Sequence, residues 1–259
     1  MRGFNRLIFR RCDGYGVRMQ CVDDQILEHF NAQGYAILPK ILDANAVQSL
    51  LSAISKGEDE GDSRRQKRGQ MYALRNLLAR VPNVAKLAMS PTIRALVEPI
   101  LGSDAKVVRA LLFDKTAGAN WKVAWHQDLS IAVRERIEVE GFGPWLVKAG
   151  VQHVQPPVAV LHRMLTVRVH LDECLEDNGP LLVLPGSHAQ GVLSPVQIAD
   201  WRGKVAPIAC TIGAGGVVLM RPLLLHASSA ATTPKHRRVI HLEFASGELP
   251  GGLQWAVDG

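Results

Sequence analysis

Apolar residues recur at helical spacing from Asp23 onward. Ile26, Leu27 and Phe30 share one face, Asp23 or Asp24 stands where an N-cap is wanted, and Gly34 stops the run. Tyr35-Ala-Ile-Leu38 then reads as a short strand ended by Pro39, and Val47, Leu50, Leu51 and Ile54 repeat the helical spacing over residues 43–56 behind Asp43. Residues 57–69 are acidic and then basic, without an apolar face, and read as a solvated loop. Helices are predicted to fill 70–101, with Pro91 near a helix start and Gly102 as a stop. After residue 105 the period changes. Short β-rich runs at 106–114, 164–171, 181–185, 206–211, 216–221 and 238–245 are separated by Gly, Pro and Asn, and Asp177-Asn-Gly179 supplies a turn. That succession is the mark of a sandwich or barrel. No repeat or linker divides the chain, so the expectation is a helical portion over 20–104 packed on a β-rich core over 105–250: mainly β with flanking helices, an α+β protein.

Composition narrows the class. The 259 residues are 47% hydrophobic and 21% charged with mean hydropathy +0.05, enough to bury a sizeable core and too apolar for a disordered chain. No run of about 18 uncharged apolar residues occurs, so no membrane partner is expected. The cysteines, Cys12, Cys21, Cys174 and Cys210, form no Cys-x-x-Cys pair, which argues against a zinc site or a disulfide framework and for reduced thiols in a cytoplasmic or other intracellular protein. The net charge of +6 suggests a nucleic-acid binder until its position is read. Residues 1–19 set Arg2, Arg6, Arg10, Arg11 and Arg18 against Asp13 alone, a local balance of +4, and the remainder is close to neutral. No nucleic-acid partner is therefore expected. The basic extension has no secretory h-region; it reads as an Arg-rich organelle-targeting sequence, a start placed too early with Met19 as the first residue, or a poorly ordered terminus.

The sharpest local feature is Trp125-His126-Gln127-Asp128. In extended backbone His126 and Asp128 point to one side, and an imidazole and a carboxylate converging there are two ligands of a two-His-one-carboxylate metal site with open positions. Downstream, Gly215–His226 reads as a buried strand delivering a histidine at its end. Eleven residues later Arg237 opens the next strand; a guanidinium near such a metal suits a co-substrate that chelates at one end and offers a carboxylate at the other. Arg238 competes for that role, and because strand alternation puts the two on opposite faces, only one can point inward. The spacing favours Arg237.

His126-Gln-Asp128, Asn178-Gly-Pro-Leu181, Pro185-Gly-Ser-His188, His226-Ala-Ser228 and Arg237 occur in an order that resembles the phytanoyl-CoA dioxygenase family of Fe(II)- and 2-oxoglutarate-dependent oxygenases, over roughly residues 20–250. The resemblance implies a double-stranded β-helix (jelly-roll, cupin-like) core. It implies His126, Asp128 and His226 as iron ligands and catalytic centre, and Arg237 as the residue holding the distal carboxylate of 2-oxoglutarate, with lesser contacts from Gln127 and Ser228. It also implies O2 as oxidant, release of succinate and CO2, and hydroxylation of a C–H bond of a small-molecule substrate. The carboxylate of Asp128 favours hydroxylation, since iron halogenases of this fold need a vacant chloride site where it would sit. The alternative is a non-catalytic or differently metallated jelly-roll ligand-binding protein. A nucleic-acid demethylase of the same fold is disfavoured by the near-neutral body.

The segment 129–162 is long for a connection and rich in Gly and Pro, as lid insertions are. Trp121, Trp125, Arg134, Trp145 and His153 are candidate substrate contacts, against the plainer reading that the tryptophans pack the lid and Arg134 pairs with a Glu. Strand 164–171 alternates, with Thr166, Arg168 and His170 on a polar face read as solvent-facing, although Arg168 would suit an anionic substrate. The histidines without triad spacing (His29, His153, His162, His170, His188, His241) are assigned to the surface or to supporting positions. Gly213-Ala-Gly215-Gly216 precedes a strand, not a helix, and is read as a turn rather than a dinucleotide fingerprint.

Overall fold

The structure, a computed structural model, describes residues 22–57, 64–67 and 70–256; the basic extension over 1–19 lies outside the described residues, as does part of the expected 57–69 loop. Helix α1 (Asp24–Gln33) starts where Asp23 accepts a 2.8 Å hydrogen bond from the Ile26 amide and ends at Gly34. Strand β1 (Tyr35–Leu38) and helix α2 (Ala44–Gly57) follow. The chain then departs from expectation. A hairpin, β2 (Arg64–Lys67) and β3 (Gln70–Leu74), stands where a loop and the start of a helix were predicted. β3 adds to the edge of the large sheet, a long-range pairing that local spacing does not reveal. Helices α3 (Leu77–Arg80), α4 (Pro82–Ala88) and α5 (Pro91–Leu101) complete the helical portion, with Pro at the first position of the last two and Ser90 capping α5.

The β-rich part runs β4 (Lys106–Lys115), β5 (Val123–His126), β6 (Ile131–Val133), β7 (Trp145–Lys148), β8 (Val151–Val154), helix α6 (Val158–His162), β9 (Met164–His170), β10 (Leu181–Val183), helix α7 (Pro195–Lys204), β11 (Ile208–Cys210), β12 (Val217–Met220), β13 (His226–Ser228) and β14 (Arg237–Ala245). The sheets are antiparallel. A seven-stranded sheet has the order β1-β12-β9-β14-β4-β3-β2 and a four-stranded sheet the order β11-β10-β13-β5. This is the expected jelly roll: mixed α+β, mostly strands, with seven α-helices among the described residues.

Alternation along the large sheet builds two environments. Leu165, Val167, Val169, Val217, Leu219, Ile240, Leu242 and Phe244 face the helices and join Ile26, Phe30, Ile54, Leu77 and Leu96 in the main core. Each such fully buried side chain contributes about 1.5–3 kcal/mol. The opposite face meets the four-stranded sheet. At one end Tyr35, Cys174, Leu181, Val183, Cys210, Ile212, Val218 and Met220 close the gap with apolar side chains. At the other end Thr166, Arg168 and His170 of β9 lie beside Glu243, His241 and Val239 of β14, buried between the sheets. The polar face of β9 therefore does not meet solvent, because β14 and the smaller sheet cover it.

Residues 129–162 are not irregular. β6, β8 and β7 form a third, three-stranded sheet in that order. It is stapled to the C-terminal segment by the Val133–Trp255 bridge and by the Ala256 amide donating to the Ala132 carbonyl at 3.1 Å. Ile131, Val133, Val154, Leu161, Leu249, Leu253 and Trp255 form its apolar cluster.

Candidate metal centre

The antiparallel register of β5 and β13 sets His126 directly opposite His226. Just past β5 the Asp128 amide donates to the Pro222 carbonyl at 2.9 Å, which holds this turn against the segment leading into β13. The side chains converge. His126 Nε2 is 3.8 Å from one Asp128 oxygen and His226 Nε2 is 3.7 Å from the other. The two rings lie 4.1 Å apart, and all three donor atoms fall within 4.8 Å of one another. Among the described residues this is the one group of His, Cys, Asp or Glu close enough to share a metal ion.

Both imidazoles are oriented by the same local device. His126 Nδ1 bonds the Ala124 carbonyl at 2.8 Å, and His226 Nδ1 bonds the Leu224 carbonyl at 2.9 Å. A carbonyl can only accept, so Nδ1 carries the proton and Nε2 offers its lone pair toward Asp128. Burial pushes His226 down to about 4 against the pull of Asp128, keeping the ring neutral. Burial works to raise Asp128, but His226, His241, His126 and Arg168 outweigh it and hold the carboxyl below its ordinary value. Two imidazoles turned by their Nδ1–H bonds and one ionised carboxylate are the donor set of a two-His-one-carboxylate site, and the triad fits a first-row divalent ion.

The residues around the triad explain the other motifs. Buried Ser187, in Pro185-Gly-Ser-His188, donates to the Leu184 carbonyl at 2.7 Å and accepts from the Leu225 amide at 2.8 Å, pinning the residue before His226. Asn178 accepts from the Lys235 amide at 3.2 Å and so ties the loop to the start of β14. Gly179 has φ +61°, and its carbonyl accepts from Arg237 Nη1. A Cβ there would lie 2.6 Å from the Ser229 carbonyl oxygen. Gly179→Ala is expected to lose about 1–3 kcal/mol of stability, read as a lower denaturant midpoint.

Two cavities meet at the triad. The first, of about 200 Å³, lies between His226 and Arg237 and is walled by Arg168, Ser228 and Trp121. It is rich in cations. Lys115 Nζ donates to Ser228 Oγ at 2.8 Å and to the Ser229 carbonyl, and burial, then Arg237, pushes its ammonium down to about 7. Burial, then Arg237, lowers Arg168 to about 10. The Nε atoms of Arg168 and Arg237 are buried without a hydrogen-bond partner. Unsatisfied buried guanidinium donors call for an acceptor with negative charge. The second cavity, of about 410 Å³, lies on the other side of Asp128 and is walled by Arg75, Arg109, Lys148, His241 and Glu243.

The family model described as phytanoyl-CoA dioxygenase (PhyH) matches residues 30–239, a span that holds the triad and Arg237. The chain belongs to the phytanoyl-CoA dioxygenase family. It is 27% identical over 188 residues to L-proline trans-4-hydroxylase of Streptomyces griseoviridis, a match that covers 62% of this chain and 62% of that protein, so it spans less than two thirds of that relative. In fold it resembles EctD from S. alaskensis, solved with 2-oxoglutarate and 5-hydroxyectoine (TM-score 0.69, 22% identity, covering 92% of this chain and 83% of that one). It also resembles AviO1 from Streptomyces viridochromogenes Tue57 (TM-score 0.63, 21% identity, covering 86% and 95%).

Within this phytanoyl-CoA dioxygenase family chain, Arg237 and Ser228 border the first cavity. Arg238 does not: it makes a bidentate pair with Asp172, at 2.7 and 2.8 Å, outside both cavities. Gln127 needs correction. Its amide donates to the Gly191 and Leu223 carbonyls at 2.7 Å each and accepts from the Leu193 amide at 2.8 Å, so its polar atoms are taken up in bracing loops. Of the expected substrate contacts, Trp121 and Arg168 border the Arg237 cavity rather than the second one. Trp125 packs on Leu184, Leu193 and Leu225. Arg134 reaches Gln254 Oε1 at 2.7 Å on the surface, and Trp145 packs against the insertion's apolar cluster. His153 is buried, bonded through Nδ1 to the Val151 carbonyl at 3.0 Å, and borders neither cavity.

Residues that sequence reasoning passed over wall the second cavity instead, Arg109 of β4, Glu243 of β14 and Lys148, joined by His241, assigned above to the surface or a supporting position; Lys115 of β4 stands behind Ser228 at the first. The signal was there in part. Arg109 and Lys115 interrupt the inward-facing positions of a strand that otherwise alternates among Val, Leu and Phe.

Proposed function

We propose that the protein is an Fe(II)- and 2-oxoglutarate-dependent oxygenase that hydroxylates a C–H bond of a small molecule. The observation that carries this reading is the triad of pre-oriented imidazoles and ionised carboxylate beside a cavity whose buried guanidinium Nε donors lack an acceptor. His126, Asp128 and His226 would hold the iron. Arg237 would fork onto the distal carboxylate of 2-oxoglutarate, with Ser228, Lys115 and Arg168 supplying further polarity on that side. EctD, whose fold this chain shares, has been solved with bound Fe and with 2-oxoglutarate, and the Streptomyces relative bears the name of a proline hydroxylase.

Bound together, ferrous iron, 2-oxoglutarate and O2 supply the oxidative chemistry: succinate and CO2 are released and one oxygen atom enters the substrate C–H bond. The chain's own part is placement. The two Nδ1–H bonds to β-strand carbonyls keep both Nε2 lone pairs aimed at one point. Arg237 and Lys115 neutralise a dianion in a region where burial makes uncompensated charge costly. Residues 129–162 wall the second cavity through Ser130 and Lys148, which fits the lid expected of them within a unit spanning 20–259. No helix among the described residues is long and apolar enough to cross a membrane, and the buried free thiols of Cys174 and Cys210 suit a reducing setting.

The direct test is anaerobic reconstitution with ferrous iron and 2-oxoglutarate. A weak visible charge-transfer band, followed by succinate release on admitting O2, is expected; absence of both overturns the reading. A pH dependence follows as well. Lys115 carries its charge below about pH 7 and loses it above. Affinity for the dianion should therefore fall as pH rises from about 7 to about 8.5, and Lys115→Met should flatten that slope in titrations of the band.

A further inference from the structure

On the oxygenase reading just given, we infer that the substrate is a small amino-acid-type zwitterion whose carboxylate is received by Lys148 and Arg109 and whose ammonium is received by Glu243. The second cavity borders Asp128, where a substrate must lie, and its charged groups are grouped rather than scattered. Arg109 and Glu243 are cross-strand neighbours on β4 and β14, joined at 3.0 Å, with both side chains 12% exposed. Lys148 reaches in from β7 of the insertion. Its Nζ donates to Ser130 Oγ at 2.8 Å, and no carboxylate among the described residues lies in ion-pair range of it.

The balance of charge points to what is missing. Among the described residues Arg109 and Lys148 stand against Glu243 on this wall, and Asp128 is already engaged by two imidazoles. Burial, then Arg109 and Arg75, pushes the Lys148 ammonium below its ordinary value, and the shortage on this wall is geometric: the polar partner of Lys148 is the Ser130 hydroxyl rather than a carboxylate. A carboxylate placed between Lys148 and Arg109 corrects that shortage. It also draws Arg109 partly away from Glu243, whose oxygens have acceptor capacity beyond Arg109 and His241 and can take an ammonium. Behind these groups a recess of about 70 Å³, lined in part by Ile131, Leu161 and Met164, offers apolar walls to a compact carbon skeleton. A neutral ligand would leave Lys148 without a carboxylate, and one with a negative charge alone would compete with Glu243 for Arg109 and bring nothing in return.

The experiment uses the full chain loaded anaerobically with ferrous iron and 2-oxoglutarate. The probes are free L-amino acids and cyclic imino acids, their carboxamides, their N-acetyl derivatives and acyl-CoA thioesters. The readouts are the shift of the visible band on binding and stimulated succinate release in air. Free zwitterions are expected to bind, with carboxamides and N-acetyl derivatives weakened about tenfold or more. Lys148→Met should raise KM for the free acid by about ten- to a hundredfold and erase its advantage over the carboxamide, a change in preference that simple loss of folded protein would not produce. Carboxamides or thioesters acting as well as free acids, or Lys148→Met discriminating like the parent, overturns the inference. So does silence from the whole panel in protein that still converts 2-oxoglutarate to succinate without substrate. Absence of both the band and that substrate-free conversion instead overturns the oxygenase reading beneath it.

Discussion

Asp128→Ala is expected to abolish retention of iron and, with it, all 2-oxoglutarate-dependent succinate release. The side chain stands 3.7 and 3.8 Å from the two imidazole Nε2 atoms and supplies the only negative charge in the triad. Its removal leaves two neutral donors, so the loss should exceed the roughly 10–100-fold that follows from removing a mere supporting partner of a ligand. The fold should survive. Asp128 is 38% exposed to the cavities and packs in none of the apolar clusters, and its backbone bond to Pro222 does not depend on the side chain. Metal analysis after dialysis, succinate quantification and circular dichroism test the two halves separately. A variant that keeps stoichiometric iron and turns over normally removes Asp128 from the centre.

The second large effect separates two adjacent arginines. Arg237→Ala should raise the 2-oxoglutarate requirement by about a hundredfold, because a charge-assisted fork in a buried site is lost. Arg237→Lys should recover little of it, since an ammonium is a point charge without the fork. Arg238→Ala should leave that requirement unchanged and lower stability by about 1–2 kcal/mol, since its guanidinium is spent on Asp172. Saturation curves and denaturant melts distinguish the outcomes. A raised requirement in Arg238→Ala alone would reverse the assignment of the two faces.

Much of the centre was legible in the chain because its geometry is local. His126 and Asp128 are two residues apart, His226 begins a strand after an apolar run, and Arg237 follows at a fixed interval on the next strand. The face of β9 was not legible. Thr166, Arg168 and His170 alternate equally well for solvent or for a cavity, and only the pairing with β14 and the cover of the second sheet decide between them. The strand Gln70–Leu74 escaped for a related reason, as its partner β4 is distant in sequence. The insertion hid its sheet because strands of three or four residues carrying Lys148, Gln152 and His153 show too little periodicity to stand out. Gln127 was misread through adjacency: alternation turns it to the opposite side from the ligands that flank it, where backbone groups claim its amide.

The staple between Val133 and Trp255 couples two parts of the chain that share no ligand. The insertion that carries Ser130 and Lys148 leans on the segment around Trp255 for its footing, so that segment acts as a buttress for the wall of the second cavity. Alterations near Trp255 would therefore be felt first in the shape of that cavity, while β5 and β13, which carry His126 and His226 on another sheet, keep their alignment.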